Sequence, residues 1–273
     1  MLPENTVHRI DAVAGLRQLP AAIIPMTLTS PPYGGMRTYG GHTWDFLATA
    51  QELYRVTVPS GIVVWVVQDQ AKSIGEAFRQ ALAFQNVGFY YYETLVMARL
   101  GTRFSSQWRF ALEPEYAFVF CKGERPRPGL PKLLRDKPNR NAGQHKKPFW
   151  TRDPDGSMRR SGRFFVTTAP FGIRGNIWIY DTGKNKTTCD DVFDPKTGHP
   201  AVMPEAMAQD HILAWSKVND LVLDIFAGSG MTLKMAALSQ RKFLGFDISA
   251  KYVRLAKRRL KESGIDARSD FGG

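Results

Sequence analysis

Three stretches carry residue types that can do chemistry: T-S-P-P-Y at 29–33, D-I-F-A-G-S-G at 224–230, and the aspartate closing G-F-D at 245–247. In the first, Ser30 and Pro31 each precede a proline and are held towards extended geometry. Pro31 and Pro32 have φ fixed and no N–H to donate. The corner therefore offers acceptors: the Ser30 hydroxyl, which can also donate, and the carbonyls of Ser30 and Pro31. Tyr33 adds a flat ring, and Gly34 and Gly35 let the chain turn away closely. A stiff acceptor set beside an aromatic plate suits a planar group bearing amino hydrogens, such as a nucleobase. An ordinary strand-to-loop corner with a packed tyrosine fits the same residues.

The second stretch, L-V-L-D-I-F-A-G-S-G-M-T-L at 221–233, reads as a strand running into a small-residue turn and then a helix. Gly228 and Gly230 allow positive φ and close ligand approach, and the helix start supplies N–H groups. The turn fails the dinucleotide fingerprint, because Leu233 stands where the third glycine belongs. Asp247 ends the following strand, where a carboxylate can bond a ribose diol. An acid at the start of the next helix is the structural alternative for it. Turn and acid together point to a nucleoside-containing cofactor.

These stretches need a scaffold, and the hydrophobic pattern supplies one. Ile62 to Val67 is a continuous apolar run, as in a strand buried on both faces. It follows a helical segment at 45–56 with Phe46, Leu47, Ala50, Leu53 and Tyr54 spaced by three and four. Further strands are expected at 94–97, 116–120, 221–225 and 243–246. Helices are expected at about 74–84, 205–215 and after 249, where Ser249 is placed to start the last helix and Gly264 to end it. Strands alternating with helices predict a mostly parallel α/β sheet.

The chain has 273 residues, a net charge of +12 and a pI of about 9.8. Residues 122–163 carry thirteen lysines and arginines against four acidic residues, in a Pro/Gly/Asn-rich stretch where periodicity fades. Interleaved Phe149, Trp150, Phe164 and Phe165 favour an insertion that orders against an anionic backbone over a merely solvated loop. Two cysteines, Cys121 and Cys189, are too few for a disulfide framework or a thiolate zinc site. The five histidines lack metal spacing, so no metal is expected. No apolar run approaches membrane-spanning length and no signal pattern opens the chain, so a cytoplasmic protein is expected.

T-S-P-P-Y taken with D-I-F-A-G-S-G resembles the amino-group-specific DNA methyltransferases that use S-adenosyl-L-methionine. V-H-R-I-D at 7–11, E-Y-A-F-V-F-C-K-G at 115–123 and T-G-H-P-A-V-M-P-E at 197–205 extend the resemblance over nearly the whole chain except the basic stretch. The corner comes first, the insert next and the cofactor loop last, which resembles the permuted group called β. Ile225 and Met203 depart from the family pattern, which commonly has proline and lysine there. The fold implied is a doubly wound, mostly parallel sheet with one antiparallel strand, a permuted Rossmann-like methyltransferase fold carrying a basic target-recognition insert. Segment 1–125 would be the catalytic half, 126–195 the insert and 196–273 the cofactor-binding half.

By that resemblance, a flipped-out base would stack on Tyr33 while Ser30 and Pro31 accept its amino hydrogens, with Pro32 stiffening the corner. Ala227, Gly228, Ser229 and Gly230 would pass close to the methionine moiety, Asp224 near its ammonium and Phe226 beside the adenosine. Asp247 would hold the ribose hydroxyls, and Thr232 would do no more than pack. Asp11 would bond the cofactor or brace the corner; capping a turn is the alternative. Arg37, Tyr39, Lys146, Lys147, Arg159 and Arg160 would contact duplex DNA, and Trp178 would pack inside. A cognate restriction endonuclease is the functional partner implied. Ser-Pro-Pro-Tyr resembles the cytosine-N4 branch, whereas Asp-Pro-Pro-Tyr is commoner for adenine N6. The expected activity is thus cytosine-N4 methylation, with adenine N6 second. RNA methylation and a non-catalytic DNA-binding module are further alternatives.

Overall fold

Ile62 to Val67 run through an eight-stranded sheet, and each of their side chains is buried. The computed structural model describes residues 2–32, 45–70, 73–100, 114–144, 150–160, 167–181 and 203–266. They fall into two compact units, one of Met1–Pro131 with Asn176–Gly273 and one of Lys132–Gly175.

The larger unit begins with β1 (Thr6–Arg9), α1 (Ala12–Arg17) and β2 (Ile24–Thr29). It continues through α2 (Phe46–Val56), β3 (Thr57–Val67), α3 (Glu76–Val87), β4 (Tyr90–Leu100) and β5 (Glu115–Cys121). Asp45 caps α2, accepting the Ala48 N–H at 3.0 Å. No loop separates α2 from β3. Lys122 closes that junction by donating from Nζ to the carbonyls of Tyr54 at 2.6 Å and Thr57 at 2.9 Å.

The smaller unit holds β6 (Leu134–Pro138), β7 (Trp150–Arg152), β8 (Met158–Arg160) and β9 (Phe171–Ile173). β6 pairs antiparallel with β9, and β7 with β8. Between β7 and β8, D-P-D-G-S makes a tight turn in which Gly156 has φ +87° and Asp155 accepts from Ser157 N–H and hydroxyl.

The chain then returns to the large sheet through β10 (Ile177–Asp181), α4 (Glu205–Trp215), β11 (Leu221–Asp224), α5 (Met231–Leu238), β12 (Lys242–Asp247) and α6 (Ala250–Glu262). The basic insert expected over 126–195 thus contains a strand of the main sheet. β10 pairs parallel with β4, and its alternation explains why: Trp178 and Tyr180 are buried while Ile177 and Ile179 are exposed. Tyr180 donates to Asp210 of α4 at 2.8 Å, and the Trp178 ring lies 4.9 Å from His211.

The strand order is β1-β12-β11-β2-β3-β5-β4-β10. Every pairing is parallel except those of β5, the one antiparallel strand of this sheet among the described residues. Helices α1, α2 and α3 pack on one face, where Leu16, Leu53, Val63, Trp65, Phe84, Phe120, Leu223 and Phe246 share a core. Their strand neighbours Ile62, Val64, Val66, Val119 and Val222 are buried on the other face, against the α4–α6 layer. Ser249 caps α6 through the Tyr252 N–H, and Gly264 follows its end with φ +72°. Among the described residues no helix is long and apolar enough to cross a membrane.

Candidate active site

β2 and β11 are neighbours in the sheet, yet the chain leaves them in opposite directions. From β2 it crosses through α2 to β3 on one side; from β11 it crosses through α5 to β12 on the other. Such a reversal opens a crevice at the carboxyl ends of the two strands. Ser30, Pro31 and Pro32 follow β2 there, and residues 225–230 follow β11. The register Met26↔Val222 and Thr27↔Leu223 brings stretches some two hundred residues apart side by side.

A hydrogen bond closes the junction: Thr29 Oγ1 donates to Asp224 Oδ1 at 2.7 Å. The Phe226 N–H donates to the same oxygen at 3.1 Å, and the Thr232 hydroxyl adds a third bond to this carboxylate. Burial nevertheless outweighs these bonds and pushes the Asp224 carboxyl up to about 6. The group thus changes its charge near pH 6 rather than in the usual carboxylate range. Thr29 lies in the T-S-P-P-Y motif, but the motif does not announce its link to Asp224, and Thr232 does more than pack. A hydroxyl next to the corner is the available signal; the sequence does not show which strand lies beside it.

The glycine turn is tied to the next strand. Ala227 N–H donates to the Phe246 carbonyl at 2.8 Å, and Gly228 N–H to Asp247 Oδ2 at 2.8 Å. Gly228 has φ +51° and Gly230 φ +78°, backbone that favours glycine. A Cβ on Gly230 would also meet Ala256 Cβ at 2.8 Å, so α5 and α6 leave no room for a side chain. Ser229 is buried within the turn. The salt bridge of Lys234 with Glu205, at 2.7 Å, anchors α5 to α4.

Asp247 takes the Gly228 N–H on one oxygen and the Ser249 N–H on the other at 2.8 Å. Burial raises its pKa against the pull of those two bonds. A carboxylate has about four lone-pair positions, so both oxygens keep capacity for hydroxyl donors. Phe226 is half-buried, edge-on to Trp65 with ring centroids 6.3 Å apart. Asp11 follows β1 on the far side of β12 and caps α1, accepting the N–H groups of Val13 at 3.0 Å and Ala14 at 3.1 Å.

The expected DNA contacts divide. Arg159 forms an ion pair with Asp153 at 3.1 Å, and Arg160 lies opposite Trp150, which is 64 % exposed, on the β7–β8 ribbon. Tyr33, Arg37, Tyr39, Lys146 and Lys147 lie outside the described residues, as does Cys189. Cys121 is buried in β5, and burial pushes its thiol up to about 11. Among the described residues no three His, Cys, Asp or Glu side chains could hold a metal ion.

The chain matches the family model described as DNA methylase over residues 24–258. It is 42% identical over 243 residues to the orphan methyltransferase M.BamHII of Bacillus amyloliquefaciens, covering 87% of this chain and 89% of the relative. Its fold is similar to that of the PvuII cytosine-N4-specific DNA methyltransferase, with a TM-score of 0.70 at 19% identity, covering 98% of this chain and 87% of that one. TTHA0409 of Thermus thermophilus, solved with S-adenosyl-L-methionine, aligns with a TM-score of 0.59 at 24% identity, covering 94% and 95%.

Proposed function

The chain belongs to the N6/N4 DNA methylase family of S-adenosyl-L-methionine-dependent enzymes, and we propose that within it this protein methylates the exocyclic N4 of a cytosine extruded from duplex DNA. One observation carries the reading: β2 pairs with β11 and Thr29 bonds Asp224, so the acceptor corner and the glycine turn open on one crevice.

The donor set suits a nucleoside bearing an amino acid. Asp247, with lone pairs left over, would take a ribose diol. Asp224, buried and held by three hydrogen bonds, would face the ammonium, and the turn from Ala227 to Gly230 would lie along the methionine chain. When bound, S-adenosyl-L-methionine supplies an electrophilic methyl on a sulfonium. Ser30 Oγ and the Pro31 carbonyl would accept the two amino hydrogens, fixing the nitrogen and drawing its lone pair out of conjugation with the ring. The nitrogen–carbon bond forms as the sulfur–carbon bond breaks, and the surplus proton on nitrogen leaves to solvent afterwards. The protein's contribution is alignment and exclusion of water rather than a strong base.

Cytosine is preferred over adenine because serine, not aspartate, opens the Pro-Pro corner; the PvuII relative in fold is itself named as cytosine-N4-specific. In the smaller unit eleven lysines and arginines face three aspartates, a net +8 of the chain's +12, which supports a duplex phosphate backbone as partner. The relative's name, an orphan methyltransferase, leaves a solitary enzyme or one paired with a nuclease as readings of its cellular role.

Incubation with methyl-labelled S-adenosyl-L-methionine and plasmid DNA, followed by digestion to nucleosides, tests the reading. Label in N4-methyl-2'-deoxycytidine is expected. Label in N6-methyl-2'-deoxyadenosine overturns the choice of base, and no label in any nucleoside overturns the activity.

A further inference from the structure

The β7–β8 ribbon has two faces of different chemistry, and its register sorts them. Trp150 pairs with Arg160, Thr151 with Arg159 and Arg152 with Met158. Directly opposed residues of an antiparallel pair point to the same face, and successive pairs alternate. One face therefore carries Trp150, Arg152, Met158 and Arg160, and the other Thr151 and Arg159.

The Thr151–Arg159 face holds the ribbon together. Arg159 Nε donates to both oxygens of Asp153 at 3.1 Å, and the Thr151 hydroxyl donates to the Arg159 carbonyl at 3.2 Å. The turn adds backbone bonds at 2.9 Å, from Asp153 N–H to the Ser157 carbonyl and from Gly156 N–H to the Asp153 carbonyl. A two-stranded ribbon is marginal alone in water, so these bonds matter to its register. Asp155 at the tip is drawn back onto Ser157. The opposite face contains no acidic residue in the paired strands. On it Trp150 is 64 % exposed and Met158 52 %, and Arg152 is exposed as well. Arg160 is engaged within the protein, so Trp150, Arg152 and Met158 are the positions open to a partner. Arg159, the DNA contact expected from the sequence, thus meets a carboxylate, while Arg152 lies on the open face.

We propose that this open face reads base edges in the major groove of the duplex, with Arg152 as a specificity-determining residue and Trp150 and Met158 as its apolar flank. The inference rests on the reading of the chain as a duplex DNA methyltransferase. Charge complementarity names the partner, because the smaller unit carries +8 of the chain's +12. Phosphates alone call for cations, and a face built only for them has no use for an exposed tryptophan and methionine. Base edges take both chemistries. Guanine O6 and N7 accept from an arginine fork, and the thymine methyl takes apolar contact. The major groove, about 12 Å wide, admits a two-stranded ribbon. One face of the ribbon thus keeps its shape while the other is presented to the groove.

The test maps the site that wild-type enzyme methylates in plasmid DNA, then uses duplex oligonucleotides carrying that site and each of its single-base-pair changes. Arg152→Lys keeps the charge and loses the fork. It is expected to bind with unchanged salt dependence while discrimination at one base pair falls about 5- to 100-fold. Its retained affinity for a duplex lacking the site also reports an intact ribbon. Trp150→Ala should lower affinity for the site about tenfold and leave affinity for the duplex lacking it within about twofold. Thr151→Val, on the opposite face, should keep every discrimination ratio within about twofold. Arg152→Lys that discriminates like wild type at every position, or Trp150→Ala that weakens both duplexes alike, overturns the inference. So does a wild type that methylates without site preference, and all three leave the methyltransferase activity standing. Wild type that methylates no DNA overturns the reading beneath it.

Discussion

Thr29 and Asp224, 195 residues apart in sequence, share a 2.7 Å hydrogen bond at the point where the sheet reverses its winding. The bond joins the strand bearing the acceptor corner to the strand bearing the glycine turn. Replacing Thr29 by valine keeps the shape and deletes the donor. A buried carboxylate that loses one of three bonds costs about 1–3 kcal/mol. Thr29→Val should therefore unfold at lower denaturant, and calorimetric titration should show weaker S-adenosyl-L-methionine binding at pH 7 by about 3- to 10-fold, because Asp224 becomes harder to ionise. Unchanged stability and affinity would show that the bond links the two halves without supporting either.

Asp224 also sets a pH dependence. Burial holds its pKa near 6 rather than 3.8, so at pH 8 the carboxyl is ionised and at pH 5 it is mostly protonated. If it receives the donor's ammonium, only the ionised form binds well. The dissociation constant for S-adenosyl-L-methionine should rise about tenfold between pH 7 and pH 5. In Asp224→Asn, binding should be weaker throughout and flat over that range. A wild-type profile without a step near pH 6 would separate Asp224 from the ammonium.

Gly230 is doubly constrained, by φ +78° and by Ala256 Cβ standing 2.8 Å from where its own Cβ would sit. Gly230→Ala should cost about 1–3 kcal/mol of stability and weaken cofactor binding. Adding Ala256→Gly removes the nearest contact but leaves the Ala256 backbone Cα at 3.0 Å and the backbone strain, so thermal melts should show partial recovery. Full recovery would assign the whole effect to packing.

Much of this frame is legible in the chain, for identifiable reasons. Continuous apolar runs such as Ile62 to Val67 declare buried parallel strands, and D-I-F-A-G-S-G declares a turn because glycine alone suits its backbone. Other features are hidden by their nature. β3 starts at Thr57, five residues before its apolar run, and Pro59, Ser60 and Gly61 hide that start because the strand is irregular there, with Ser60 at φ +60° and the register to β2 shifted. β10 is hard to see because it is short and alternates, Trp178 and Tyr180 being buried and Ile177 and Ile179 exposed. The meeting of Thr29 with Asp224 arises from which strands become neighbours, and strand order is written in no local pattern.

His211 offers a test of the packing under β10. Its ring is fully buried, 4.9 Å from Trp178 with Nε2 3.5 Å from Met97 Sδ, and burial pushes its pKa down to about 3. Below pH 6.5 the unfolded chain takes up a proton that the folded one refuses, so stability falls as pH drops. Asp224 works oppositely between pH 6 and 3.8, where the folded carboxyl holds a proton the unfolded one has lost. The two slopes oppose each other in wild type. From pH 7 to pH 5, Asp224→Asn should lose about 2 kcal/mol by urea denaturation, and His211→Leu should gain about 1 kcal/mol. Parallel profiles for both variants would contradict these assignments.

The most direct measurement compares two steps in one variant. Ser30→Ala removes an acceptor just after β2 and leaves every residue of the glycine turn after β11 in place. Its affinity for S-adenosyl-L-methionine should match wild type, while single-turnover methyl transfer to DNA at saturating donor should slow about 100-fold or more. Transfer at the wild-type rate would mean that the amino group is not held at this corner, and that the two stretches the sheet brings together do not form one active site.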